Sequence, residues 1–212
     1  MKLRLFNTAH SSPSHRVRIA LALKGLQYEY VAVDIRKRAH QAPEYAQLNP
    51  QRLLPMLEAD GVPLAQTLAI VEWLNETVPS PPLLPADPFE RANVRRVAAM
   101  VATDITPLHS MRVSKAIAFD FGQTGEVLRA WTQRWINQGF AAVESIITDN
   151  TGAFCFGDIP TMADVFLIPA VHIARISGVE VGAYPRIAAV ERSAQDHPAF
   201  IAAHPSRQPD AA

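Results

Sequence analysis

The sequence predicts a small α/β domain followed by an all-helical domain. Three observations carry this reading. Residues 1–78 alternate short strand-like runs with helical ones. The stretch Val78-Pro79-Ser80-Pro81-Pro82-Leu83-Leu84-Pro85-Ala86-Asp87-Pro88 holds five prolines and suits neither a helix interior nor a central strand. Beyond it, alanine-rich segments place Leu, Ile and Val at helical spacing to the end of the chain. The boundaries expected are 1–80 for the α/β domain, 79–87 for the linker and 88–212 for the helical domain.

Met1–Phe6 reads as a strand, because Leu3 and Leu5 alternate with polar residues. Pro13–Lys24 reads as a helix that stops at Gly25, with proline at its first position and Ser12 as the expected cap. Tyr28–Asp34 is alternating and β-branched, hence a second strand, and a loop is expected after it. Met56–Ala59 and Val62–Ala65 flank Asp60-Gly61, a hairpin signature. Gln66–Asn75 returns to helical spacing. The order β-α-β-loop-β-β-α implies a small mixed sheet covered by helices. Later helices are expected at 89 to about 119, 124–148, 161–177 and 185–195, with a short piece near Phe200.

With 212 residues, 49% of them hydrophobic, the chain can build a sizeable core. Its 20 Lys and Arg balance its 20 Asp and Glu, which argues against nucleic acid as a partner, since phosphate binding needs a basic surplus. No run of about 20 apolar residues occurs, so no membrane span is expected. The N-terminus does not read as a signal peptide. A single cysteine excludes an internal disulfide and suggests a cytoplasmic protein. No His/Cys/Asp spacing resembles a metal site.

Three constellations carry chemistry. The first is Ser11-Ser12-Pro13-Ser14, hydroxyls crowded where a strand turns into a helix. A helix start has unpaired N–H groups and the positive end of a dipole, so an anion is stabilised there, although a plain cap needs only one serine. The second is Leu54-Pro55 just before a strand, an edge proline or a cis one, with the isomer left open. The third is Gln66-Thr67 at a helix start, which suits either a cap or a carboxylate site.

In order and spacing, SSPSHRVRIALALKG, LNPQRLLPML, QTLAIVEWL, LLPADP, GDIPTMADVFLIP and the closing HPSRQPD resemble the zeta class of the glutathione transferases. The family signature reads SSCSxRVRIAL, so Pro13 stands where it has cysteine. The resemblance implies a thioredoxin-like N-terminal domain that binds glutathione, an all-α C-terminal domain shaping the acceptor pocket, and a homodimer. It implies that Ser11 holds the glutathione thiolate, assisted by Ser12, and that the Leu54 backbone before a cis Pro55 pairs with the cysteinyl part. Gln66 and Thr67 would take the γ-glutamyl carboxylate, His40 the glycine carboxylate, and Asp104 the γ-glutamyl ammonium from the other subunit. Thr161 to Asp164 matches a buried structural capping box. The implied activity is glutathione-dependent cis–trans isomerisation of an α,β-unsaturated carbonyl compound. The alternatives are conjugation of glutathione to an electrophile, or a ligand-binding protein that keeps the fold without catalysis.

The departures concern the acceptor. Maleylpyruvate isomerases clamp their substrate with three arginines, suited to carboxylates by paired bonds. Here the first falls on His10, the second is kept as Arg112, and the third falls on Ile176, beside Arg175. A histidine of that branch is Thr106 here, and His109 lies near Arg112 at helical spacing. Two weakened clamps imply an acceptor with fewer carboxylates or a more apolar body. His15, Arg16 and Arg18 are read as pointing to solvent or a domain interface, and Cys155 as a buried, inert thiol.

Overall fold

The structure, a computed structural model, describes residues 1–211. It divides into two compact units, one formed by Met1–Leu83 together with residues 196–211, the other by Leu84–Gln195. The expected helical domain ran to Ala212, which lies outside the described residues. Residues 196–211 pack with the first unit instead, because helix α9 (Pro198–Ala203) lies along helix α1 (Ser12–Leu23).

The first unit is built on a four-stranded sheet of order β2-β1-β3-β4, from β1 (Leu3–Asn7), β2 (Glu29–Ala32), β3 (Met56–Ala59) and β4 (Val62–Ala65). The β1 and β2 strands run parallel, joined through α1, whereas β3 is antiparallel to both β1 and β4. The β3–β4 hairpin turns at Asp60-Gly61, both in the left-handed region at φ +49° and +86°. Helix α3 (Thr67–Thr77) follows β4.

The segment expected as a loop contains helix α2 (Pro43–Leu48), begun by a proline in its first turn. Tyr45 of α2 joins Phe6, Val33 and Met56 in a core cluster on the sheet, with Leu48 and Leu54 packed around it. Six residues were too short a span for helical periodicity to show.

Helix α1 departs most from expectation. His15, Arg16 and Arg18 are not turned to solvent; each is 2% exposed or less. The tail residues 196–211 cover the polar side of the helix, the His15 and His204 rings meeting edge to face at 6.1 Å. A helix polar on one face reads as surface until a distant segment is found lying on it.

The second unit contains α4 (Pro88–Ala99), α5 (Met111–Asp120), α6 (Gly125–Ile147), α7 (Met162–Ile176) and α8 (Pro185–Gln195). The single helix expected over 89–119 is broken. After α4 the chain widens into a π-helical stretch at Met100–Ile105, tightens into a 3₁₀ turn at Thr106–His109, and restarts at α5. Pro107 cannot donate to the helical ladder, which accounts for the break. Gly139 of α6 permits a close approach there, since a Cβ on it would stand 2.3 Å from the buried Ile105 side chain. Trp131 Nε1 donates to Leu108 O at 2.7 Å and ties the turn to α6.

The α7 start is the expected capping box. Asp164, wholly buried, accepts from Thr161 N–H at 2.7 Å, Thr161 Oγ1 at 2.9 Å and Cys155 N–H at 2.8 Å. Burial raises the Asp164 carboxyl, opposed by those bonds. Cys155 is fully buried and its thiol is pushed well up by that burial, so it is chemically quiet.

Candidate active site

Sheet register gathers the three constellations. Phe6 pairs with Met56, and Met56 with Ala65. The residues that leave β1 (8–11), enter β3 (54–55) and leave β4 (66–67) therefore lie at one end of the sheet. Residue Ala32 of β2 pairs with Asn7, so the segment leading to His40 departs from that end too. The Leu54–Pro55 peptide bond is cis.

Ser11, not Ser12, caps α1: its Oγ accepts from Ser14 N–H at 3.2 Å. The Ser11 hydroxyl spends only its oxygen on the cap and keeps its proton for another partner. Pro13 has no N–H and Ser14 has given its own to the cap. The N–H at the helix start not taken up in this way belongs to Ser12. Its Oγ, and that of Ser14, are buried with no hydrogen-bond partner among the described residues. Unsatisfied buried hydroxyls carry a desolvation cost of about 1–3 kcal/mol each, unusual enough to mark a place for a ligand.

The turn ahead of Ser11 is closed by Ser11 N–H on Thr8 O at 3.2 Å. Arg18, reaching back from α1, donates to Thr8 O at 3.3 Å and Ala9 O at 2.8 Å, and also to Asn7 Oδ1 and Ala203 O. Burial lowers its guanidinium, against the pull of Tyr30, Tyr28 and Asp210. His10 is exposed, with Nε2 3.0 Å from Ala211 O.

The loop before β3 is held by two residues that motif reading overlooks. Tyr45 Oη and Asn49 Nδ2 both donate to Leu53 O, at 2.7 and 2.9 Å. Burial pushes the Tyr45 phenol up to about 12, so it stays a donor at any ordinary pH. Asn49 is buried, and its Oδ1 accepts from Gln51 N–H.

At the start of α3, Gln66 stands at φ +70°, ψ 118°, a conformation that costs a non-glycine residue of order 1–3 kcal/mol and concentrates at ligand clamps. Its Nε2 donates to Gln51 Oε1 at 2.7 Å. Thr67 is buried, and its Oγ1 lies 3.4 Å from Arg16 Nη1. Arg16 is fully buried, which brings its guanidinium down to about 9. His40 is half-buried in a 3₁₀ turn at Ala39–Gln41.

The remaining candidates belong to the second unit. Asp104 is exposed in the π-helical stretch, its Oδ1 3.0 Å from Thr103 Oγ1. Thr106 and His109 are half-buried on the adjoining turn, and Arg112 is exposed on α5. Arg175 is engaged: Nε and Nη2 grip both oxygens of Glu191 at 2.6 and 2.5 Å, and those bonds raise its guanidinium. Ile176 is 70% exposed and lines an open groove of about 480 Å³ with Leu128, Arg129 and Thr132.

Comparison with known proteins accords with these features. The family model "Glutathione S-transferase, N-terminal domain" matches residues 1–76, and "Glutathione S-transferase, C-terminal domain" matches residues 125–193. A maleylacetoacetate isomerase of Pseudomonas aeruginosa is 45% identical over 98% of both chains. The holo structure of a maleylpyruvate isomerase, described as a bacterial zeta-class glutathione S-transferase, is 42% identical and superposes with a TM-score of 0.96, covering 99% of this chain and 100% of the other. A maleylacetoacetate isomerase from Anaeromyxobacter dehalogenans, solved with glutathione in its active site, is 40% identical with a TM-score of 0.88, covering 100% of this chain and 98% of the other. The chain belongs to the glutathione S-transferase family, in its zeta class.

Proposed function

We propose that the protein is a glutathione-dependent cis–trans isomerase acting on a small α,β-unsaturated carbonyl compound. The observation that carries this is the start of α1: a capping Ser11 with its proton to spare, and Ser12 Oγ buried without a partner. Those groups fit a sulfur anion, and Gln66, Thr67 and His40 fit the carboxylates at the two ends of glutathione. When bound, glutathione supplies a sulfur nucleophile capable of reversible addition to a conjugated double bond, which frees that bond to rotate.

The residues of this chain do the rest. Ser11 Oγ donates to the sulfur and, with the helix dipole, favours its ionised form. Ser12 assists through its N–H and hydroxyl. The Leu54 backbone holds the cysteinyl part in extended register, as an added strand would be held. The Gln66 N-cap position and the Thr67 hydroxyl receive the γ-glutamyl carboxylate at the positive end of α3. Asp104, exposed, answers the γ-glutamyl ammonium of the second subunit in a homodimer. We place the protein in the cytoplasm, where its single cysteine stays reduced.

The candidates for acceptor contacts are His10 on the first unit and, separately, Thr106, His109, Arg112 and Ile176 on the second. Arg175 does not substitute for the arginine missing at 176, because Glu191 already occupies its fork. These positions fit an acceptor with fewer carboxylates, or a more apolar body, than maleylpyruvate.

Incubation of an enone with a trace of glutathione tests the reaction. Trans product with glutathione recovered unconsumed is expected; consumption in step with product makes the protein a conjugating transferase. Ser11→Ala should lower kcat about 100-fold, the scale for losing one donor aimed at a developing anion. Unchanged activity removes Ser11 from its role. Efficient isomerisation of both maleylpyruvate and maleylacetoacetate would overturn the acceptor assignment.

A further inference from the structure

The C-terminal segment reaches the turn that carries Ser11. Asp210 Oδ2 accepts from Thr8 Oγ1 and Ala9 N–H, both at 3.1 Å, and Oδ1 accepts from Tyr30 Oη of β2. Burial works to raise the Asp210 carboxyl, but the bonds from Tyr30, Ala9 and Thr8 outweigh it and leave it below the ordinary carboxylate range. The turn 8–11 is thus gripped from two sides: Arg18 takes its carbonyls, Asp210 takes its donors. Arg18 is itself joined to the tail through Ala203 O.

A four-residue turn closed by one 3.2 Å bond has little rigidity of its own. The place of Ser11 Oγ follows from the path of residues 8–11, and that path is held by groups outside it. Hydroxyl-to-sulfur donation falls steeply with misalignment, so an error of about 1 Å in the turn weakens it severely.

We propose that Asp210, acting with Arg18, is a positioning residue for Ser11, so that the C-terminal segment sets the geometry of the thiolate-holding turn. This rests on the assignment of Ser11 above. Asp210 acts through Thr8 and Ala9, the two residues whose donors its carboxylate holds.

Asp210→Ala, Asp210→Asn and Ser11→Ala, each as the full chain, test this by two readouts. The first is amide hydrogen exchange in the protein without glutathione. Asp210 does not touch Ser11 N–H or Ser14 N–H, yet both should exchange about fivefold faster or more in Asp210→Ala, while Ile19 and Leu21 in the same helix keep their rates. The second is titration of bound glutathione followed by thiolate absorbance. Its midpoint should move up in Asp210→Ala, with KM for glutathione within about twofold of the parent, since the carboxylate-binding residues are untouched. Asp210→Asn preserves shape and an acceptor, so it should fold even if the alanine variant does not, and show a smaller shift in the same direction. Unchanged exchange at Ser11 and Ser14, or an unmoved midpoint in both Asp210 variants while Ser11→Ala moves it, overturns the proposal. If Ser11→Ala leaves the midpoint where it was, the role of Ser11 fails, and the positioning proposal with it. Faster Ser11 and Ser14 exchange in Asp210→Ala would still stand as a structural finding about the turn.

Discussion

Arg16 Nη1 and Thr67 Oγ1, 3.4 Å apart, link the helix that begins at the serine turn to the helix that begins at Gln66. Because the guanidinium can only donate, the threonine oxygen accepts, and its own proton is left for another acceptor. Arg16→Met should therefore weaken the carboxylate end of the site more than the sulfur end. We expect KM for glutathione to rise about five- to tenfold, the effect of about 1 kcal/mol, with kcat altered less than twofold. Steady-state kinetics decide it; equal losses in kcat and kcat/KM would assign Arg16 to the chemistry instead.

Asp164 satisfies three donors at a site closed to water. Asp164→Ala should cost about 2–4 kcal/mol, from loss of the cap and the orphaning of Cys155 and Thr161 N–H. Denaturant unfolding measures this directly. Asp164→Asn keeps part of the bonding and should lose less.

His204 supplies a pH test. Burial lowers its pKa, helped by the charges of Arg18 and Arg207, and its Nδ1 accepts from Ser206 N–H at 3.3 Å. A base depressed in the folded state binds its proton more readily when unfolded. Stability is thus level above the unfolded value of about 6.5, declines as pH falls from there to the folded value, and levels off below it. Unfolding of His204→Gln between pH 8 and 5 should lack this part of the decline. An identical pH profile in parent and variant would remove His204 as its source.

Ile176→Arg places a cation where the resemblance to maleylpyruvate isomerases implies an arginine. Turnover of maleylpyruvate should then rise, with kcat/KM increasing about tenfold or more through a paired carboxylate bond. Glu191→Gln, which loosens the grip on Arg175, should give a smaller rise. No gain from either change would separate position 176 from acceptor recognition.

Much of this protein was legible along the chain. Both hairpin strands and helix α8 occur at the residues their turn chemistry and spacing indicate, because such signals are local. The serine turn, Leu54-Pro55 and Gln66-Thr67 stood out for the same reason: each is a compact cluster of polar or turn-forming residues. The burial of Asp164 was implied by the resemblance of Thr161–Asp164 to the family's buried capping box.

What the sequence by itself determined was the pair of folds and the residue types at each helix start. Tertiary structure decided how those residues are used. Sheet register brings three separated segments to one end, which no local pattern encodes. Arg16 and Arg18 read as facing solvent or a domain interface, yet they are buried between α1 and segments far along the chain, since a charge inside a protein persists only where distant carbonyls and hydroxyls meet it. Asp210, in the last turn of a polar tail, gave no sign of its contact with Thr8 and Ala9. A hydrogen bond between residues so far apart is specified by the folded surface alone.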